Sequence, residues 1–92
     1  MIRALVLYDA EPDPARYEKH AELCRQVPGA TFRHGRVFGA PMGEPDHRYY
    51  SEFEWADMEA FKMGARSPEF MATGKDAMEL GVRFSVEFVD VD

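Results

Sequence analysis

The order of apolar and polar residues predicts a strand followed by a helix at the start of the chain. Residues 2–8 form a nearly continuous apolar run, which is typical of a strand buried on both faces. Residues 14–27 instead place apolar side chains three or four positions apart, the spacing of one helix face. Asp13 and Pro14 suit the start of this helix, and Pro28-Gly29 ends it. His20 is the one side chain that breaks the polarity boundary of the apolar face, which comprises Tyr17, His20, Ala21, Cys24 and Val27.

The middle of the chain predicts a β-hairpin with a long loop. The two strands cover about residues 30–38 and 47–55, and a turn-rich segment separates them. If the residue numbers of two paired residues add up to about 85, Phe32 lies opposite Phe53 and Arg33 lies opposite Glu52. A shift of one residue would mix the apolar and polar faces, which is costly where one face is buried.

The last third predicts a helix in two pieces and a final strand. Asp57 caps the first piece, Ser67 and Pro68 start the second, and Gly81 ends it near residue 80. Residues 82–91 alternate between apolar and polar side chains, as a half-buried strand does. The order βαββαβ predicts a ferredoxin-like α+β fold over residues 1–92, with a four-stranded antiparallel sheet and its helices on one face.

Length and charge narrow the classes of function. Ninety-two residues are expected to form a single domain, and the formal net charge of −6 argues against nucleic acid and anionic membranes as partners. The only cysteine, Cys24, excludes an internal disulfide and a multi-cysteine zinc site. His20, His34 and His47 do not converge under the predicted register, so we expect no metal site. A cytoplasmic location fits this composition.

The first strand predicts a homodimer. Leu5 and Leu7 lie on the face opposite Ala4 and Val6, so both faces of the strand are apolar. Because no element of the chain is left to cover the helix-free face, we expect a second copy of the sheet to cover it.

The sequence resembles the EthD family of the dimeric α+β barrel superfamily over essentially its whole length. The pattern Y-x-x-H-x-x-L-x-x-x-x-P-G carries the resemblance, supported by the first strand and by the junctions at 55–57 and 67–69. One departure is Glu22, where many members have proline. The resemblance implies a dimeric barrel with a pocket for a small hydrophobic molecule between sheet and helices. Relatives include cofactor-free monooxygenases, isomerases and cyclases, whereas the biochemical role of the EthD family itself is not clear.

His20 is the candidate catalytic residue, since a buried imidazole can act as a neutral general base. The alternative is a structural histidine that bridges buried polar groups. The predicted substrate-binding residues share the face of the sheet below His20 and are Tyr17, Phe32, His34, Tyr49, Ser51, Phe53 and Trp55. Four methionines, Met58, Met63, Met71 and Met78, are expected in the core or in a pocket wall.

The same features leave two classes of function open. One is a cofactor-independent isomerase, cyclase or monooxygenase, and the other is a non-catalytic ligand-binding or accessory protein of a degradation pathway. No cofactor is expected. Some relatives bind haem through a histidine, but no basic residues are obviously placed here to hold its propionates.

Overall fold

The computed structural model describes residues 1–92 and has the predicted ferredoxin-like order of elements. The predicted break at Ser67-Pro68 divides the second helical region into two helices. The elements are β1 (Ile2–Tyr8), α1 (Pro14–Cys24), β2 (Thr31–Arg36), β3 (Tyr49–Trp55), α2 (Met58–Ala65), α3 (Pro68–Met78) and β4 (Phe84–Asp90). None of the helices has the length and apolar character needed to cross a membrane.

Each helix begins at the predicted side-chain cap. The side chain of Asp13 accepts a hydrogen bond from the backbone N–H of Arg16, and Asp57 caps α2 in the same way. At α3 the Ser67 hydroxyl accepts from the backbone N–H of Phe70. The helix α1 ends at Cys24, three residues before the predicted end, because the backbone N–H groups of Gln26 and Val27 donate to carbonyls three residues back instead of four.

The sheet has the strand order β2-β3-β1-β4, and all its neighbouring strands are antiparallel. The predicted hairpin register is confirmed: Phe32 pairs with Phe53 and Arg33 pairs with Glu52. This register places alternate residues of β1 and β3 on the face below the helices. His20 of α1 therefore lies over the face that carries Ser51 and Phe53.

Trp55 anchors the core between the sheet and α2. Its side chain is fully buried, it contacts Phe61 and Phe70, and its indole N–H donates to the Pro28 carbonyl at 3.1 Å. Gly64 allows this approach, because a Cβ there would overlap Trp55 Nε1 and lie 2.8 Å from the Pro28 oxygen. The last turn of α2 can therefore pack directly on the indole.

The methionines do not form a core. Met63, Met71 and Met78 are 74%, 68% and 79% exposed, and Met58 is 44% exposed. The prediction of a buried methionine cluster is wrong, because the inner faces of α2 and α3 are occupied by other side chains. Residues such as Phe70, Thr73 and Ala77 supply the buried contacts, and the methionines lie on the outer surfaces.

The helix-free face of the sheet carries two arginines and two glutamates in a compact ion network. Arg3 contacts Glu54 at 2.8 Å, and Arg33 contacts Glu52 at 3.0 Å. The four charges sum to zero, and Glu52 is only 8% exposed. The face therefore combines the apolar side chains of β1 with charges that are paired within the chain.

Candidate functional site

An apolar cavity of about 60 Å³ lies between α3 and the sheet. Val6 and Tyr8 of β1 form part of its floor, and Phe70 and Ala77 of α3 form part of its roof. His20 of α1 borders the same space, as do the hydroxyl-bearing residues Ser51 and Thr73. Few polar groups therefore face a mainly hydrophobic space, which is the composition of a small-molecule site.

His20 is held by a carboxylate from the neighbouring helix. Its Nδ1 lies 2.8 Å from Asp76 Oδ2, and the imidazole is only 3% exposed. Asp76 Oδ1 also accepts a hydrogen bond of 2.7 Å from the Arg16 guanidinium. The packing of α1 against α3 thus brings together two residues of α1 and one of α3, and it sets the orientation of the imidazole.

Burial and charge act in opposite directions on the protonation of His20. Burial is the larger influence and lowers the pKa of His20 below its ordinary value, while the Asp76 carboxylate partly offsets it. The Arg16 guanidinium lowers the pKa of Asp76, so this residue stays ionised. Because a carboxylate only accepts hydrogen bonds, neutral His20 carries its proton on Nδ1 and has an unprotonated Nε2.

Cys24 lies on the other side of the imidazole, one helical turn further along α1. Its Sγ is 3.3 Å from His20 Nε2, and burial raises the pKa of the thiol to about 12. The group therefore stays protonated and donates a weak S–H hydrogen bond to Nε2. The arrangement resembles a Cys-His-Asp triad in its connectivity, but a buried and protonated thiol is not suited to nucleophilic attack.

Three of the eight residues that sequence analysis selected border the cavity: His20, Ser51 and Phe53. The structure places the other five outside it. Trp55 belongs to the core described above, and Phe32 packs on Phe53 from the edge strand. The expectation of methionine in the wall is also wrong, since no methionine lines the cavity.

The remaining three residues form an aromatic cluster between α1 and the β2–β3 hairpin. The Tyr49 hydroxyl lies 2.6 Å from His34 Nδ1, and the ring of Tyr17 packs against both residues. The Tyr17 hydroxyl lies 3.4 Å from that of Tyr8, which borders the cavity. The cluster therefore supports the cavity from the side and does not line it.

Sequence analysis did not select Asp76, Arg16, Thr73 or Gly74 as site residues. Asp76 is one of seventeen acidic residues, and no local motif distinguishes it. Its role depends on the packing of α3 against α1, a contact between residues 56 positions apart. The side chains form no cluster of three or more His, Cys, Asp or Glu residues suited to a metal ion.

Comparison with solved structures gives matches over the full chain. An ethyl tert-butyl ether D (EthD) family protein from Bacillus halodurans has 27% identity and a TM-score of 0.79, with 100% of this chain and 99% of that chain covered. A dimeric ferredoxin-like protein of unknown function from Jannaschia sp. has 20% identity and a TM-score of 0.74, with 98% of each chain covered.

A third match is SnoaB, a cofactor-independent oxygenase from Streptomyces nogalater. It has 18% identity and a TM-score of 0.62, with 99% of this chain and 92% of that chain covered, so it shows a shared fold alone. No family model and no curated protein matches the sequence. The full-length match to the Bacillus protein confirms the resemblance of this chain to the EthD family, within the ferredoxin-like fold.

Proposed function

We propose that residues 1–92 form one EthD-like domain that acts as a cofactor-independent general acid–base enzyme on a small hydrophobic carbonyl compound. The observation that carries the proposal is the His20–Asp76 pair, 2.8 Å apart, beside an apolar cavity. A buried histidine oriented by a carboxylate has the geometry and the protonation state of a neutral base. Cofactor-independent chemistry on the same fold is described for SnoaB.

The proposed step is removal of a proton from the carbon next to the carbonyl group. The Cys24 S–H group first rotates away from His20 Nε2 and breaks their weak hydrogen bond. The C–H proton then moves to Nε2, and the electron pair of the C–H bond shifts onto the carbonyl oxygen. The resulting imidazolium is stabilised by Asp76. Tyr8 borders the cavity and keeps its proton because burial raises its pKa, so it can donate to the developing oxyanion together with Ser51.

Hydrogen exchange of 2-indanone in D₂O tests this step without knowledge of the natural substrate. We expect the protein to accelerate loss of the α-proton signals in the NMR spectrum. The rate should rise as His20 loses its proton and level off at neutral pH. The midpoint should lie below the ordinary histidine value of about 6.5, because burial lowers the pKa of His20. A flat profile between pH 4 and 8, or no acceleration, would contradict the proposal.

A second candidate function is non-catalytic binding of a similar small molecule. It is favoured by the apolar walls of the cavity, where the Thr73 hydroxyl is already engaged with the Phe70 carbonyl at 2.6 Å. Saturable binding of 2-indanone without any acceleration of exchange would identify this function. The two candidates therefore differ in one measurement on one ligand.

We also propose a homodimer formed through the helix-free face of the sheet. Leu5 and Leu7 lie half-buried on this face, and the paired charges of Arg3, Arg33, Glu52 and Glu54 allow it to be covered without burying net charge. Similar structures are described as dimeric ferredoxin-like proteins. Sedimentation at micromolar concentration should give twice the chain mass of 10.5 kDa, and Leu5→Glu should give monomers. A wild-type monomer at that concentration would exclude this dimer.

A cytoplasmic location is part of the same proposal. The one thiol, on Cys24, is free and buried, which is compatible with a reducing compartment. Fractionation of source cells with an antibody against the chain tests it, and recovery outside the cytoplasm would contradict it.

A further inference from the structure

The solvent-exposed mouth of the cavity lies between Gly74 of α3 and Val86 of β4. Of its twelve lining residues, only Gly74 of α3 and Val86 of β4 are exposed, and most of the others are buried. Val86 is 45% exposed although it lies on the helix-covered face of the sheet, because the helices leave this part of the edge strand open. A ligand therefore has its shortest route into the cavity between Gly74 and Val86.

Gly74 occupies a position where the fold does not require glycine. It lies inside α3, where glycine destabilises a helix relative to alanine. Its φ angle is not positive, unlike those of Gly29, Gly43 and Gly81. A Cβ built on Gly74 would meet no atom within 4 Å, whereas one on Gly64 would overlap Trp55. The missing side chain thus serves neither backbone geometry nor packing, and its direct consequence is open space at the mouth.

The size of the cavity shows why this space matters. A volume of 60 Å³ holds about four to six water molecules at ~10–15 Å³ each, so a larger ligand has to extend through the mouth.

We propose that Gly74 is the specificity-determining residue of the cavity and that it admits apolar ligands longer than the enclosed space. One end of the ligand enters towards His20, and the rest lies in the α3–β4 mouth, where a larger residue at position 74 would block it. This inference rests on the proposed function for the position of the reacting group. It makes a separate claim about ligand size, which binding alone can test.

Three hydroxyarenes of increasing size test the proposal: phenol, 1-naphthol and 9-phenanthrol. Their affinities for the full chain are measured by NMR titration for the wild type, Gly74→Ala and Gly74→Leu. We expect phenol to bind all three proteins equally. Because an added side chain occupies part of the open space at the mouth, 1-naphthol and 9-phenanthrol should bind Gly74→Ala about tenfold more weakly, and Gly74→Leu more weakly still. The melting temperature of Gly74→Ala should rise by about 4–8 °C, since alanine favours the helix.

Matched variants separate the mouth from general effects of the substitution. Gly39→Ala makes the same change in an open loop, where a Cβ also meets no atom, and Ala72→Leu adds the same side chain to an exposed position of α3. Both should leave all three affinities unchanged. Val86→Ala widens the opposite rim and should restore binding of 1-naphthol to Gly74→Ala.

Two binding results would overturn the inference. In the first, each ligand binds the wild type and the Gly74 variants with the same affinity. In the second, the Gly74 variants weaken the binding of phenol and of 9-phenanthrol by the same factor. Absence of binding to the wild type would overturn both this inference and the apolar ligand of the proposed function. If the Gly74 variants weaken only the larger ligands but the protein does not accelerate 2-indanone exchange, only the proposed catalytic step is excluded. The failures of the two proposals are therefore distinguishable.

Discussion

Replacement of His20 by glutamine is expected to lower the rate of 2-indanone exchange by about 10²–10⁴-fold, the usual contribution of a general base. Glutamine can keep a hydrogen bond to Asp76 but has no basic nitrogen. We therefore expect the dimer and its melting temperature to be retained while exchange is lost. The measurement combines the NMR exchange rate with circular dichroism at one fixed protein concentration.

His34→Gln is the matched control, because it makes the same change at a histidine that does not line the cavity. Its exchange rate should equal that of the wild type. Asp76→Asn should slow exchange and move the pH midpoint of the profile further down, because the carboxylate normally raises the pKa of His20 against the effect of burial. Loss of thermal stability in His20→Gln with normal exchange would assign the histidine a structural role instead.

Replacement of Trp55 by alanine is expected to destabilise the protein by about 3–5 kcal/mol, the usual cost of removing a buried large aromatic side chain. The indole is fully buried, and it contacts Phe61 and Phe70 while donating to the Pro28 carbonyl. A chain of this size has about 5–15 kcal/mol in total, so the variant should lose much of its stability. Urea unfolding followed by circular dichroism measures the loss, since Trp55 is the only tryptophan.

Two further variants show whether the effect comes from packing at Trp55. Trp55→Phe keeps an aromatic ring but removes the donor to Pro28, so it should cost less than the alanine variant. Phe38→Ala removes an aromatic side chain that is 96% exposed, and it should leave the urea midpoint unchanged. If Trp55→Ala were as stable as the wild type but bound 1-naphthol poorly, the residue would belong to the ligand site, as the sequence first suggested.

The local patterns of the sequence were sufficient to predict the strands, the helix caps and the hairpin register. Asp13, Asp57 and Ser67 cap the helices because a cap depends only on residues three positions away. The pairing of Phe32 with Phe53 follows from period-two alternation, which permits one register when a face is buried. The spacing of the apolar stripe on α1 likewise placed His20 on a buried face before any partner was known.

The composition of the site depended on tertiary packing. Trp55 and Ser51 share one face of β3, yet Trp55 fills the core beside α2 and Ser51 borders the cavity, since α2 and α3 cover different parts of that face. Asp76 reaches His20 only because α3 packs on α1, and the sequence contains no local sign of a contact across 56 positions. Periodicity determines which face of an element is buried, whereas the relative placement of the helices decides which buried residues meet around a cavity.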